Sequence, residues 1–473
     1  MTVAAPFKQP TPPAPAAPAT SGADASSAYT PGGISSFQRV GFSILVLYLF
    51  LIYSRIFDVK FAFLHIPGIS YRVIFAMVIL SQAFVRALKT DVGKAIAGFT
   101  FWFVACIPFS MWKGGSTDLL ITVWLPNFVV FLATGGLIAN YAQCRKAVVT
   151  VAIGFLVLTA IAILLGSTES TGRLYLPNGK YANPNEMGQA LLLGLSLWLF
   201  LLLDSKSGAF KAFGASVILV MLFTISKTGS RGCLIGLGVL LLAVFLRSSA
   251  SGRLQLMLGG GLLITVIVAT MPTRLLNRYR TLTEDQDQMD ETEESAYSSA
   301  NARKDLLRRS IKYTIQHPLF GVGPGMFPVA EDADERSEGR RHGRWQGTHN
   351  SYTQVSCELG VPGLILYGTA IFLSLRKTER IYKQTRGDPR LTDIANLALG
   401  LNYALIVYAV TVLFDYIAYT SMLPVFAGLV TALGHTVEAE IAQRTAPPAP
   451  VAAPPPTAAP PARGFRAVYA GRY

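Results

Sequence analysis

The chain has 473 residues, of which 51% are hydrophobic and only 14% charged, and its formal net charge is +14. That composition is too apolar for an ordinary soluble domain and points to a bilayer. The basic residues are spread in short segments rather than gathered on one soluble face with interleaved aromatics, which excludes a nucleic-acid-binding reading.

The apolar residues form runs of about 17–22, the length at which a helix crosses a hydrocarbon core. No period-two alternation separates two faces, so a transmembrane barrel is excluded and the predicted fold class is all-α and polytopic. About 12 spans are predicted, at 41–57, 70–88, 95–112, 119–139, 147–166, 187–203, 212–226, 232–247, 254–270, 353–375, 394–414 and 418–434. Residues 1–36 and 443–473 are rich in Pro and Ala and are expected to be disordered tails around a membrane domain at 37–442. A large loop, 271–350, separates the ninth and tenth spans and is expected to contain short amphipathic helices.

Lys and Arg concentrate in alternate loops: Arg86, Lys89 and Lys94; Arg145 and Lys146; Lys206 and Lys211; Arg247 and Arg253; and six from Arg376 to Arg390. Positive charge is retained in the cytoplasm, so these loops and both termini are expected there, with 271–350 outside. Cys106, Cys144, Cys233 and Cys357 show neither pairing nor metal-ligand spacing and read as structural thiols. Two acidic runs, Glu284–Glu294 and Glu331–Glu338, lack the Gly-containing calcium-loop pattern and read as solvated, flexible loop. No metal or cofactor is expected.

Several polar residues lie on the side where cations are costly. Arg173 and Lys180 precede Asn183-Pro184-Asn185, and Lys227 and Arg231 flank a tight turn between two spans. Such a turn sets two positive charges and several backbone N–H groups at the membrane surface, suited to a diphosphate, although span-end cations also snorkel to headgroups. In the loop, 301–315 reads as an amphipathic helix with Leu307, Ile311 and Ile315 as its apolar stripe beside Lys304, Arg308 and Lys312, the pattern of a helix lying in the lipid interface. After a Gly/Pro-rich turn, His317–Phe327, comes His349 at the border of the next span, wet enough to exchange protons and a candidate general base. Asp415, between the last two spans, is predicted at the same outer end.

The order of these motifs over about residues 150–375, with Asn183-Pro184-Asn185, Lys227-Thr228-Gly229-Ser230-Arg231-Gly232, Arg303 before His317-Pro318-Leu319-Phe320-Gly321-Val322-Gly323, and His349-Asn350-Ser351-Tyr352 before Glu358-Leu359-Gly360-Val361-Pro362-Gly363, resembles the O-antigen ligase/polymerase superfamily. The resemblance implies a multi-pass bacterial inner-membrane enzyme of lipopolysaccharide or exopolysaccharide biosynthesis. It implies metal-independent, inverting transfer of a glycan from undecaprenyl or another polyprenyl diphosphate to an acceptor hydroxyl at the periplasmic face. His349 would then be the base; Arg231, Arg303 and Lys227 would hold the diphosphate; and Asn350, Tyr352, Asn183 and Asn185 would orient substrate. The partners implied are the lipid-linked glycan donor, a glycan or lipid A–core acceptor, membrane lipids and a polysaccharide assembly complex. A ligase, a polymerase and a protein oligosaccharyltransferase all fit, and glycan identity is open. The alternative class, a transporter or flippase for a lipid-linked glycan, would place its ionisable groups near the midplane rather than toward one face.

Overall fold

The computed structural model describes residues 35–59, 66–177, 179, 181–270, 291–337, 339 and 345–446. Most of the two Pro-rich tails, Lys180, Glu338 and the loop stretch 271–290 with its acidic residues lie outside the described residues.

The chain is an all-α multi-pass membrane protein. In order, its helices are α1 (Ser36–Ser54), α2 (Ile56–Val59), α3 (Ile66–Leu80), α4 (Ala83–Leu88), α5 (Asp91–Cys106), α6 (Lys113–Leu119), α7 (Leu125–Gly136), α8 (Tyr141–Leu165), α9 (Pro184–Asp204), α10 (Gly208–Lys227), α11 (Arg231–Arg247), α12 (Ala250–Thr270), α13 (Glu291–Gln316), α14 (Phe327–Ser337), α15 (Ser351–Thr385), α16 (Thr392–Thr411) and α17 (Met422–Thr445). A two-residue antiparallel hairpin, Ser167–Thr168 with Leu174–Tyr175, joins α8 to α9. Among the described residues nine helical segments are long and apolar enough to cross a membrane. The other three expected positions fall on the α3–α4 pair, on α11 and on α12.

The expected span 70–88 is broken at Ser81–Gln82, where Gln82 takes a left-handed conformation and restarts the chain as α4. Beyond the expected end of the 353–375 span the helix continues to Thr385, because residues 376–386 contain no Gly or Pro to stop it. Helices α9, α16 and α17 form the centre, with 78%, 78% and 83% of their apolar windows enclosed, whereas only 28% of the α10 window is. Glycines allow the close crossings: a Cβ on Gly400 would meet Phe200, one on Gly194 would meet Phe155, and one on Gly428 would meet Thr134. All four cysteines are buried and free of disulfides.

Helix α13 contains the stretch expected to be amphipathic, with two distinct faces. Leu306, Ser310 and Tyr313 are buried against α15 and α14, whereas Leu307, Ile311 and Ile315 are exposed together with Lys304, Arg308 and Lys312. The second acidic run corrects the expectation of a solvated, flexible loop. Glu331, Asp332 and Glu335 are buried on α14, and it is bridged to α13 by Arg309–Glu335 at 2.5 Å and Lys312–Asp334 at 2.7 Å.

Candidate functional site

The site is set by a break in α15. Gly360 lies at φ 71°, with a close approach to the Leu319 carbonyl that leaves no room for a side chain, and Pro362 lacks an N–H. The carbonyls freed by this break are all used. Leu359 O accepts from Trp102 Nε1 (2.8 Å), Cys357 O from Val322 N (2.8 Å) and Glu358 O from Gly323 N (3.1 Å). The buried Glu358 carboxylate accepts from Gly325 N (3.0 Å), Phe327 N (3.4 Å) and Tyr419 Oη (2.8 Å). The Gly/Pro-rich turn is thereby fastened to the bundle, and α13 and α14 with it.

A second set of bonds brings the 412–421 loop to the start of α15. Ser351 N donates to Val412 O (2.8 Å), and Ser351 Oγ donates to Asp415 O (2.8 Å) while accepting from Ile417 N (3.0 Å). His349, two residues earlier at φ 52°, meets the Tyr416 ring edge-on at 5.2 Å. Gly347 is needed for this fit, since a Cβ there would overlap Tyr416.

Three polar atoms at this junction are buried without a hydrogen-bond partner among the described residues: His349 Nδ1, Arg303 Nε and Asp415 Oδ2. Burial and the nearby Arg303 charge lower the His349 pKa to about 4, so its imidazole is neutral at pH 7 and able to accept a proton. Burial also lowers the pKa of Arg303, as does repulsion from Arg231, which heads α11, while Asp415 acts in the opposite sense. Asp415 is pushed up to about 7 by burial and by Glu186 of the first turn of α9, against the Tyr416 N–H and Arg303. Two guanidinium groups, a neutral imidazole and a buried carboxyl group thus share one neighbourhood. A buried cation with an unmet donor is costly unless an anion completes it.

The structure therefore gathers His349, Arg303 and Arg231, but it gives the other predicted residues internal duties. Asn350 Oδ1 caps α15 by accepting from Tyr352 N (2.9 Å) and Thr353 N (3.1 Å). Tyr352 Oη donates to Ala409 O (2.9 Å), tying α15 to α16. Asn183 caps α9, and Asn185 Oδ1 accepts from Arg173 Nη2 (2.8 Å). Lys227 stands over the Phe223 ring at 5.0 Å, one turn back on its own helix. Arg173 also donates through Nε to Thr228 O (2.9 Å), so it joins the hairpin, the start of α9 and the turn before α11.

Asp415, Tyr416 and Glu186 are members of the neighbourhood that the motifs did not assign. Asp415 and Tyr416 had one signal, an acid and an aromatic at a span end; Glu186 resembled an ordinary first-turn acid. No curated protein matches the chain. Residues 216–368 match the family described as O-Antigen ligase. This stretch contains Arg231, Arg303 and His349, and the match supports the resemblance to the O-antigen ligase superfamily.

Proposed function

We propose that the protein transfers a glycan from a polyprenyl diphosphate carrier to an acceptor hydroxyl at the periplasmic face of the bacterial inner membrane, as a polymerase or ligase. In this reading both termini are cytoplasmic, residues 37–442 are the membrane domain, and the tails take no part in the chemistry. The observation that carries it is the half-buried Arg303, whose buried Nε lacks a hydrogen-bond partner among the described residues, beside Arg231 and a neutral His349.

The acceptor oxygen attacks the anomeric carbon as the bond from that carbon to the diphosphate oxygen breaks. The hydroxyl proton passes to His349, and the departing diphosphate takes the bonding electron pair. Arg231 and Arg303 offer paired N–H donors to the growing negative charge, with Lys227 as a further point charge at the rim. Attack from the face opposite the diphosphate inverts the anomeric centre. A pKa of about 4 makes His349 by itself a weak base. Diphosphate beside Arg303 offsets the charge that depresses it, so donor binding raises its basicity as it is needed. Asn350 acts by fixing the chain that carries His349, and Asn183, Asn185 and Tyr352 by fixing the surrounding helices.

The test is to reconstitute the protein in lipid with a polyprenyl-diphosphate glycan and candidate acceptors, then follow release of free polyprenyl diphosphate. His349→Ala and Arg231→Ala are each expected to lower release by about 100-fold or more while the protein remains in the membrane. A product ladder identifies a polymerase, and single addition to lipid A–core a ligase. Wild-type-like turnover in either variant would remove that residue's role. Movement of intact lipid-linked glycan between leaflets without release would replace the transferase reading with the transporter one.

A further inference from the structure

At the end of the bundle away from His349, a cavity of about 450 Å³ lies between the turn preceding α5, the Leu373–Arg380 stretch of α15, and α17. Leu373, Arg376, Lys377 and Arg380 recur at helical spacing and share one face of α15, and Lys89 faces them from the turn. Asp91 and Glu438 also line the cavity, which leaves an excess of two positive charges. Among the described residues, Lys89, Arg376 and Arg380 have no acidic partner, and Lys377 reaches Glu438 only at 3.8 Å. Three other arginines at this end are each paired with an acid: Arg145 with Asp204 at 2.6 Å, Arg247 with Glu379 at 2.5 Å and Arg444 with Asp393 at 2.7 Å.

The sidedness of basic loops explains why cations are plentiful at this end. It does not explain why four converge on one cavity. The Lys377 stem lies against Gly434, where a Cβ would come within 2.6 Å of Lys377 Cε, so the glycine leaves a slot for it. Toward the middle of the membrane the same helix presents Phe372 and Ile365, 60% and 61% exposed, one and three turns before Arg376. Cations above an exposed apolar track match a molecule with a phosphate head and hydrocarbon chains.

We infer that this cavity binds the phosphate group of an anionic phospholipid, with Arg376, Arg380 and Lys89 on the headgroup and an acyl chain along Phe372 and Ile365. Since α5, α15 and α17 all line the cavity, the bound headgroup joins the three helices at this end.

The test uses the delipidated full chain, with lipid binding followed by native mass spectrometry and melting by thermal shift. The probes are phosphatidylglycerol and phosphatidylcholine of equal acyl composition, and inorganic phosphate. Phosphatidylglycerol is expected to bind about 10-fold more tightly than phosphatidylcholine, and Arg376→Ala/Arg380→Ala to weaken it about 20-fold. Lys206→Ala/Lys211→Ala, which removes two charges of the same end outside the cavity, is expected to change binding by less than about 2-fold. Arg376→Lys/Arg380→Lys keeps the charge and is expected to retain most of the binding. If the alanine variant does not fold, the lipid selectivity of the wild type and the lysine variant decides the matter. Equal binding of the two lipids, or equal loss in the Lys206/Lys211 control, would overturn the inference. Displacement of phosphatidylglycerol by inorganic phosphate would overturn it in favour of a soluble phosphate compound.

Discussion

Two arginines at the same end of the bundle, Arg173 buried and Arg303 half-buried, have opposite surroundings. Arg173 donates to the Thr228 carbonyl and the Asn185 side chain, so its charge is spent on holding three chain segments together. Arg303 keeps Nε without a hydrogen-bond partner among the described residues, stands close enough to Arg231 to be repelled by it, and adds to the effect of burial in depressing the neighbouring histidine. Burial alone does not separate these roles; satisfaction of the donors does. A guanidinium with its bonds made is a structural tie, and one with a bond unmade is prepared for an incoming anion.

The sharpest way to break this contrast is Arg303→Ala. Turnover is expected to fall about 100- to 1000-fold, the scale for losing an oriented donor to a developing oxyanion. Its melting temperature should hold or rise, since a half-buried charge repelled by Arg231 has been removed. Arg173→Ala is expected to do the reverse, lowering stability by about 2–4 kcal/mol because two acceptors lose their donor, which thermal or denaturant unfolding would read. Equal melting of the two variants would erase the distinction.

A smaller effect concerns pH. In the proposed transfer His349 and Asp415 both act after losing a proton, His349 above about 4 and Asp415 above about 7, where its ionised carboxylate attracts Arg303. For the wild type kcat/KM is expected to rise with pH up to about 7, changing about tenfold per unit only below about pH 6. Asp415→Asn should remove this upper step and leave a profile that is flat above about pH 5. An unchanged acid limb in that variant would take Asp415 out of the catalytic neighbourhood.

The sequence carried most of the membrane architecture because runs of the right length have one physical solution in lipid, and each expected span falls on a helix. His349, Arg303 and Arg231 were legible because a cation or histidine at that end needs a reason. Asn350, Asn183 and Tyr352 show the limit: a short polar residue before a helix is equally suited to capping and to ligand contact, and the structure uses both asparagines as caps. Asp415 was hidden for a different reason. Its place beside Arg303 depends on a loop more than a hundred residues downstream being tied to Ser351, and no local pattern encodes such a pairing. The buried acids of α14 were misread because their partners, Arg309 and Lys312, lie on another helix.

The bonds from Ser351 to Val412, Asp415 and Ile417 bear on modularity. The stretch that matches the family ends at residue 368 and begins at 216, so it omits the loop that packs on His349 and the Arg173 tie that steadies the turn before Arg231. Its limits are those of shared ancestry rather than of mechanical independence. Swapping that stretch alone into another such protein would carry the three named side chains and leave behind the walls that position them, so a working chimera must exchange the last two helices and the α8–α9 hairpin as well.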